Sequence, residues 1–235
     1  MNIFKFFLNI FYPKRCMFCG KLIDNNEEYY CLKCYYKLPF VEEKRCLICG
    51  RELFGESKLC AHCKEHKRYI DANYPVFVYK GLIKEALLKY KFKGKMWYFK
   101  PFSCFLYEEI KDKVSNIDCI VYPPINKKTF YKRGYNQSEL IAKELSQKLN
   151  IKMLNKCILK TRDNEKQSLM SGKMRYKNVK GVFKIDEKYK NELKGKCVLF
   201  IDDILTTGAT ADECAKMLKK AGALSVVSST LCIAS

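Results

Sequence analysis

Residues 198–210, Val-Leu-Phe-Ile-Asp-Asp-Ile-Leu-Thr-Thr-Gly-Ala-Thr, restrict the fold more than any other stretch of this 235-residue chain. The first four form an unbroken apolar run, which predicts a short strand buried on both faces. Asp202 and Asp203 follow at once. Adjacent carboxylates at the end of a buried strand are costly unless cations or hydroxyls meet them. The 2′- and 3′-hydroxyls of a ribose are suitable donors. Thr206, Thr207, Gly208, Ala209 and Thr210 then turn into a stretch with helical spacing. Small residues there let backbone N–H groups approach a 5′-phosphate, the threonine hydroxyls add donors, and the helix N-terminus adds favourable partial charge. The plainer alternative is an acidic pair followed by a threonine-rich helix cap.

Strand and helix signals alternate through most of the remaining chain. Residues 74–80 read as a strand and 81–92 as a helix, with Leu82, Ala86 and Tyr90 at i, i+4 spacing. Residues 102–114 read as a helix. The apolar run at 117–124, stopped by Pro123 and Pro124, reads as a buried strand. Residues 136–149 predict a helix with Asn136 as its N-cap, and 178–185 a strand. A helix over 209–222, closed by Gly222, and a strand over 224–233 finish the chain. Such alternation implies an α/β fold with a parallel sheet flanked by helices. Ligands of these sheets sit at the carboxyl ends of strands, which directs attention to the loop after Asp203.

The first sixty-odd residues obey a different rule. Eight of the fourteen cysteines fall in four C-x-x-C pairs, and RCMFCGKLI at 15–23 returns as RCLICGRELF at 45–54. Each copy is closed by a second pair, CLKC at 31–34 and CAHC at 60–63. Two close thiolate pairs are what a tetrahedral zinc needs. Gly20 and Gly50 permit the positive φ that aims backbone N–H groups at sulfur. If each repeat is one unit, Cys16, Cys19, Cys31 and Cys34 bind one ion, and Cys46, Cys49, Cys60 and Cys63 bind another. Interleaved pairing is the alternative that the spacing leaves open. His62 reads as a spacer. Four thiolates leave no open position, so both ions are expected to be structural, and so small a segment needs them to fold. The expected boundary sets a double zinc ribbon at 1–68, with a short amphipathic helix built on Ile3, Phe6, Phe7, Ile10 and Phe11, before an α/β domain at 69–235.

Cys104, Cys119, Cys157, Cys197, Cys214 and Cys232 stand alone, mostly in apolar runs, and read as small buried hydrophobes. With neither an export signal nor an apolar run long enough to span a membrane, a cytoplasmic location without stable membrane insertion is expected. The net charge is +20, and residues 66–180 carry 26 Lys/Arg against 10 Asp/Glu. That excess favours polyanions, either nucleic acid or phosphorylated ligands, against the alternative of a solvated lysine-rich surface. Aromatics interleave with cations at 90–93 and 95–100. They can stack bases while the lysines pair phosphates, although core aromatics with solvated lysines are the commoner outcome.

Arg133, in Lys132-Arg133-Gly134-Tyr135-Asn136-Gln137, suits a pyrophosphate contact because a guanidinium forks onto phosphate oxygens. Downstream lie Gln167, Leu169, Arg175, Asn178 and Phe183, in a polar stretch whose 161–175 part reads as a lid or a surface loop. The 198–210 segment resembles the PRPP-binding motif of type I phosphoribosyltransferases. Together with the R-G-Y-N-Q motif and the C-x-x-C repeats, it makes the chain similar to the ComF family of competence-associated proteins over about residues 14–234.

The resemblance implies a type I phosphoribosyltransferase fold behind a double zinc ribbon, and a link to uptake of single-stranded DNA in natural transformation. By resemblance, Asp202 and Asp203 hold the ribose hydroxyls and residues 206–210 the 5′-phosphate. Arg133, Asp202 and Asp203 are the candidate catalytic residues, and Mg²⁺ would accompany PRPP. The implied partners are PRPP or a phosphoribosyl nucleotide, single-stranded DNA, and helicase or recombination proteins of a DNA-import complex. A glutamine-dependent reaction is not expected, since Met1-Asn2 offers no N-terminal nucleophilic cysteine. Two functions remain open at this point: a phosphoribosyl transferase, or a non-catalytic module that senses a phosphoribosyl ligand and binds single-stranded DNA or serves as an adaptor.

Overall fold

A computed structural model describes residues 13–24, 27–65, 67–162 and 172–234, with backbone only for Gly172 and Lys173. The expected N-terminal helix and residues 163–171 of the expected lid lie outside them. The strands are β1 (Ala72–Val78), β2 (Cys119–Val121), β3 (Lys152–Met153), β4 (Ile158–Lys160), β5 (Phe183–Ile185), β6 (Cys197–Leu205) and β7 (Ser225–Ile233). Five of them form a sheet in the order β1-β7-β6-β2-β3, and every pairing in it is parallel. The helices are α1 (Leu32–Tyr35), α2 (Ala61–Glu65), α3 (Gly81–Phe92), α4 (Phe99–Ile110), α5 (Lys127–Arg133), α6 (Gln137–Leu149), α7 (Gly172–Val179) and α8 (Ala209–Lys220).

Strand periodicity divides the core. Leu199 and Ile201 of β6 pack with Ile83 and Leu87 of α3, Phe102 and Leu106 of α4, and Ile141 and Leu145 of α6. Val198 and Phe200 face the other way, onto Cys214 and Leu218 of α8. Burying each such side chain contributes about 1.5–3 kcal/mol, so β6, covered on both faces, is the best-anchored strand.

Three expectations change in detail. The strand predicted over 178–185 begins later, because Asn178 and Val179 finish α7 and Gly181 turns the chain at φ 71°. What remains, β5, pairs antiparallel with β4 outside the main sheet. Helix α4 starts three residues before the predicted 102, since Pro101 is tolerated in a first turn. Helix α5 was not foreseen. It has no buried residue, and it is held by Asn126, which accepts from the Thr129 N–H at 2.7 Å, and by Gly134 at φ 81°.

The cysteine repeat is also a structural repeat. Cys16 N–H donates to Lys21 O and Gly20 N–H to Cys16 O at 2.8 and 2.9 Å, and Cys46 to Arg51 and Gly50 to Cys46 at 2.7 and 2.9 Å. Neither ribbon has a core to itself. Met17 and Phe18 join the α3–α4–α6 cluster, while Cys46, Cys49 and Cys63 join the α8 cluster. Between the ribbons, Val41 N–H donates to Val76 O and Pro39 O accepts from Val78 N–H, which covers the outer edge of β1.

This docking separates two otherwise equivalent glycines. Gly20 and Gly50 sit at φ 74° and 75°, but a Cβ on Gly50 would lie 2.3 Å from Pro75 Cδ, whereas one on Gly20 meets nothing within 4 Å. Gly20→Ala is expected to cost about 1 kcal/mol for its positive φ, and Gly50→Ala several-fold more. Thermal denaturation of the two variants checks this; equal losses would contradict the docking.

Candidate functional site

The two cysteine groups are the tetrads 16/19/31/34 and 46/49/60/63, each with all four sulfurs within 4.8 Å of one another. Pairing is therefore sequential, not interleaved. Cys19 and Cys31 sulfurs are 3.9 Å apart, and Cys49 and Cys60 sulfurs 3.7 Å. Tetrahedral zinc with Zn–S bonds near 2.3 Å requires about 3.8 Å between sulfurs, so the donor sets fit. They are structural zinc-ribbon sites. His62 is outside the tetrad, with Nδ1 3.2 Å from Arg68 Nη2.

The second candidate site begins where β2 ends. β2 pairs with β6 only as far as Phe200, whereas β7 continues alongside to Leu205. The last residues of β6 therefore border an open crevice on the β2 side. Strict alternation would send Asp202 and Asp203 to opposite faces of the sheet. The alternation instead slips by one: Ile204 packs with the same cluster as Leu199 and Ile201, and Leu205 with that of Val198 and Phe200. The slip falls at the acidic pair, and both acids meet helices of the first cluster.

Asp202 accepts from Ser138 Oγ at 2.9 Å and from the Asp203 N–H at 2.8 Å. Ser138 is placed by Asn136, which caps α6 with its Oδ1 and donates through Nδ2 to Pro123 O, just beyond β2, at 2.9 Å. Burial, helped by the neighbouring charge of Asp203, pushes the Asp202 carboxyl up to about 7. Asp203 has a different partner: Lys91 Nζ of α3 lies 2.7 Å from its Oδ1, with both side chains more than 80% buried. Asp202 and Asp203 are thus held differently: Asp202 by neutral donors, Asp203 by an ion pair with Lys91.

Asp202, Thr206, Gly208, Ala209 and Thr210 line one cleft, together with Ile204, Leu205 and Ala211. Gly208 stands at φ 81° as the N-cap of α8, and Thr207 Oγ1 accepts from the Ala209 N–H at 3.3 Å. The turn is braced by arginines that sequence reasoning passed over. Arg51 Nη2 donates to Thr206 O at 2.6 Å, and Arg68 Nη2 to Thr207 O at 3.0 Å. Arg133 is not among the residues of this cleft. Its guanidinium lies over the Phe92 ring at 4.9 Å and donates to Gln137 Oε1 at 2.8 Å. Burial lowers its pKa, partly opposed by the charge of Asp203.

Of the missed residues, Ser138 directly follows the R-G-Y-N-Q motif, in the first turn of α6. Lys91 is one lysine among many in a basic run, where solvated lysines are the common outcome. The aromatics of that run divide: Tyr90 and Tyr98 are core, while Phe92 and Trp97 are 56% and 42% exposed. Of the six lone cysteines, Cys119, Cys157, Cys214 and Cys232 are buried, while Cys104 and Cys197 are partly exposed.

Fold and sites together define a phosphoribosyltransferase-type α/β protein fronted by a double zinc ribbon. Residues 7–64 match the double zinc ribbon domain and residues 136–234 the phosphoribosyl transferase domain. The chain is similar to competence-associated proteins over most of its length. It is similar to Competence protein F of Haemophilus influenzae, 26% identical over 227 residues and covering 94% of each chain. It is similar to Competence protein ComFC of Bacillus subtilis, 28% identical over 213 residues, 87% of this chain and 84% of that one. It spans about half of DNA utilization protein YhgH of Escherichia coli, 31% identical over 115 residues. Among solved structures it is similar to a glutamine phosphoribosylpyrophosphate amidotransferase from B. subtilis, with 20% identity, TM-score 0.39, and coverage of 56% of this chain and 25% of that one. So loose a likeness says nothing about the site.

Proposed function

We propose that the cleft between Asp202 and the 206–210 turn binds the 5-phosphoribosyl group of PRPP or of a phosphoribosyl nucleotide, and that the protein serves the handling of single-stranded DNA during uptake. One observation carries the first part: an acid and a glycine-capped turn at a helix N-terminus line the same cleft at the carboxyl end of the central strand. Asp202 accepts from a ribose hydroxyl, and the turn offers N–H and hydroxyl donors to the phosphate. A Mg²⁺ ion would be held mainly by the ligand's own pyrophosphate with help from Asp202, since Lys91 already occupies Asp203. Bound there, it would offset the negative charge of a departing pyrophosphate. Arg133 and Lys91 lie on the Asp203 side, where they would supply positive charge to the same group.

The test is a thermal-shift series. PRPP with Mg²⁺ and ribose 5-phosphate are expected to raise Tm, and ribose without a phosphate is not. Equal response to all three, or to none, contradicts the reading.

The DNA part rests on the relatives' names and on the surface beside the cleft. Helix α5 puts Lys127, Lys128 and Lys132 next to Phe130 and Tyr131, which are 46% and 83% exposed, and Arg133 joins it to exposed Phe92. Exposed rings among cations can stack bases while pairing phosphates. Affinity for a labelled single strand is expected to fall about tenfold or more between 50 and 200 mM salt if several phosphates are neutralised. Fluorescence anisotropy measures this, and a flat salt profile contradicts it. Retention of DNA binding by Asp202→Asn would mark the DNA surface and the phosphoribosyl cleft as separable, as a non-catalytic module requires.

A further inference from the structure

The second ribbon touches the phosphate turn itself. Arg51, directly after the Cys46-x-x-Cys49-Gly50 knuckle, donates through Nη2 to Thr206 O at 2.6 Å and through Nε to Ala234 O at 3.3 Å. Arg68, five residues beyond Cys63, donates through Nη2 to Thr207 O at 3.0 Å and lies within reach of His62 of the same knuckle at 3.2 Å. The Tyr176 hydroxyl of α7 also donates to Thr207 O, at 2.9 Å, and Arg68 bonds that hydroxyl in turn. The chain just after Arg68 is held by Asp212 in the first turn of α8, which accepts from the Tyr69 N–H at 2.7 Å.

A trans peptide sends its C=O and the following N–H in opposite directions, and no described peptide is cis. With the Thr206 and Thr207 carbonyls turned onto Arg51 and Arg68, the Thr207 and Gly208 N–H groups must turn away from the ribbon. The turn separates two cavities. One, lined by Ile48, Cys49 and Arg68, faces the ribbon; the other, lined by Asp202 and Thr210, is the open cleft. The side away from the ribbon is that of the open cleft, which Gly208 lines and Thr207 borders in sequence. Neither N–H donates a hydrogen bond within the described residues.

We infer that Arg51 and Arg68 are positioning residues of the phosphate turn: the second zinc ribbon fixes the direction of the Thr207 and Gly208 N–H groups and thereby sets affinity for the 5′-phosphate. This rests on the phosphoribosyl reading of the cleft. It gives the second ribbon a task that the first does not share, since the first packs on Tyr98 and Phe105.

The test uses full-length zinc-loaded protein with Arg51→Met, Arg68→Met, Arg68→Lys and, as a net-charge control, Lys190→Ala. Ribose 5-phosphate is the titrant in calorimetry. Zinc content and far-UV circular dichroism establish that each variant is folded with two ions. The Gly208 amide resonance of ¹⁵N-glycine-labelled protein reports the turn without any ligand. Both Met variants are expected to lose tenfold or more in affinity and to shift the Gly208 resonance. Arg68→Lys should recover part of each effect, and Lys190→Ala should change neither. An unmoved Gly208 resonance in both Met variants overturns the bracing whatever the ligand result. Wild-type affinity in both Met variants overturns it too. Wild-type protein that ignores ribose 5-phosphate sinks the phosphoribosyl reading, and with it the claim about affinity.

Discussion

Removal of both zinc ions is expected to abolish the cooperative unfolding transition of the whole chain. The effect should not be confined to the two ribbons. Thiolate tetrads of this kind contribute on the order of 10–16 kcal/mol of apparent binding free energy, comparable with the entire stability of a domain. Here that energy is not insulated. Cys16 and Cys34 pack in the cluster that holds α3, α4 and α6, and Cys46, Cys49 and Cys63 in the cluster under α8. The segment between the ribbons covers the edge of β1, and Arg45 ties the second ribbon to Glu109 of α4 at 2.6 Å. Elemental analysis should find two zinc ions per chain. Chelator-stripped protein should show a collapsed thermal transition and exposed apolar surface. Stripped protein with an unchanged transition would refute the structural role.

Asp202→Asn is expected to stabilise the unliganded protein at alkaline pH while weakening its affinity for PRPP. The Asp202 carboxyl is raised to about 7 by burial and by the charge of Asp203, from an ordinary value near 4. A raised acid takes up a proton on folding, so its cost to stability grows as pH climbs from about 4 to 7 and is complete above that. Asparagine has no charge to bury, and its amide oxygen can accept the same bonds from Ser138 Oγ and the Asp203 N–H. The gain at pH 8 should be about 1–3 kcal/mol, shrinking toward zero as pH falls to 4. A carboxylate–hydroxyl bond contributes about 1.5–3 kcal/mol, so affinity should drop roughly ten- to a hundredfold. Denaturant unfolding at the two pH values and calorimetry read both effects. A variant less stable than wild type at pH 8, or one with undiminished affinity, contradicts this account of Asp202.

Local pattern made much of this legible. Four consecutive apolar residues bounded by acids favour a short strand buried on both faces, and small residues before an amphipathic run favour a helix start. Asp202, Thr206, Gly208, Ala209 and Thr210, which line the cleft, lie in that segment; Thr207 and Asp203 are not among its lining residues. The duplicated C-x-x-C spacing likewise announced both tetrads. What escaped depends on contacts made far along the chain. Lys91 meets Asp203 across 112 residues, Arg68 meets Thr207 across 139, and Arg51 meets Thr206 across 155. Nothing in the local spacing distinguishes these cations from solvated ones. The one-residue slip at Asp202–Asp203 was equally hidden, because it falls beyond the end of β2 within an unbroken β6–β7 register. Helix α5 escaped because a seven-residue helix with no buried side chain has no hydrophobic period to read.

A crystal structure of the protein soaked with PRPP and Mg²⁺ tests the central claim most directly. The 5′-phosphate is expected within hydrogen-bond distance of the Thr207 and Gly208 N–H groups, with a ribose hydroxyl on Asp202. Phosphate density seated on the lysines of α5, with the turn empty at saturating ligand, would contradict it.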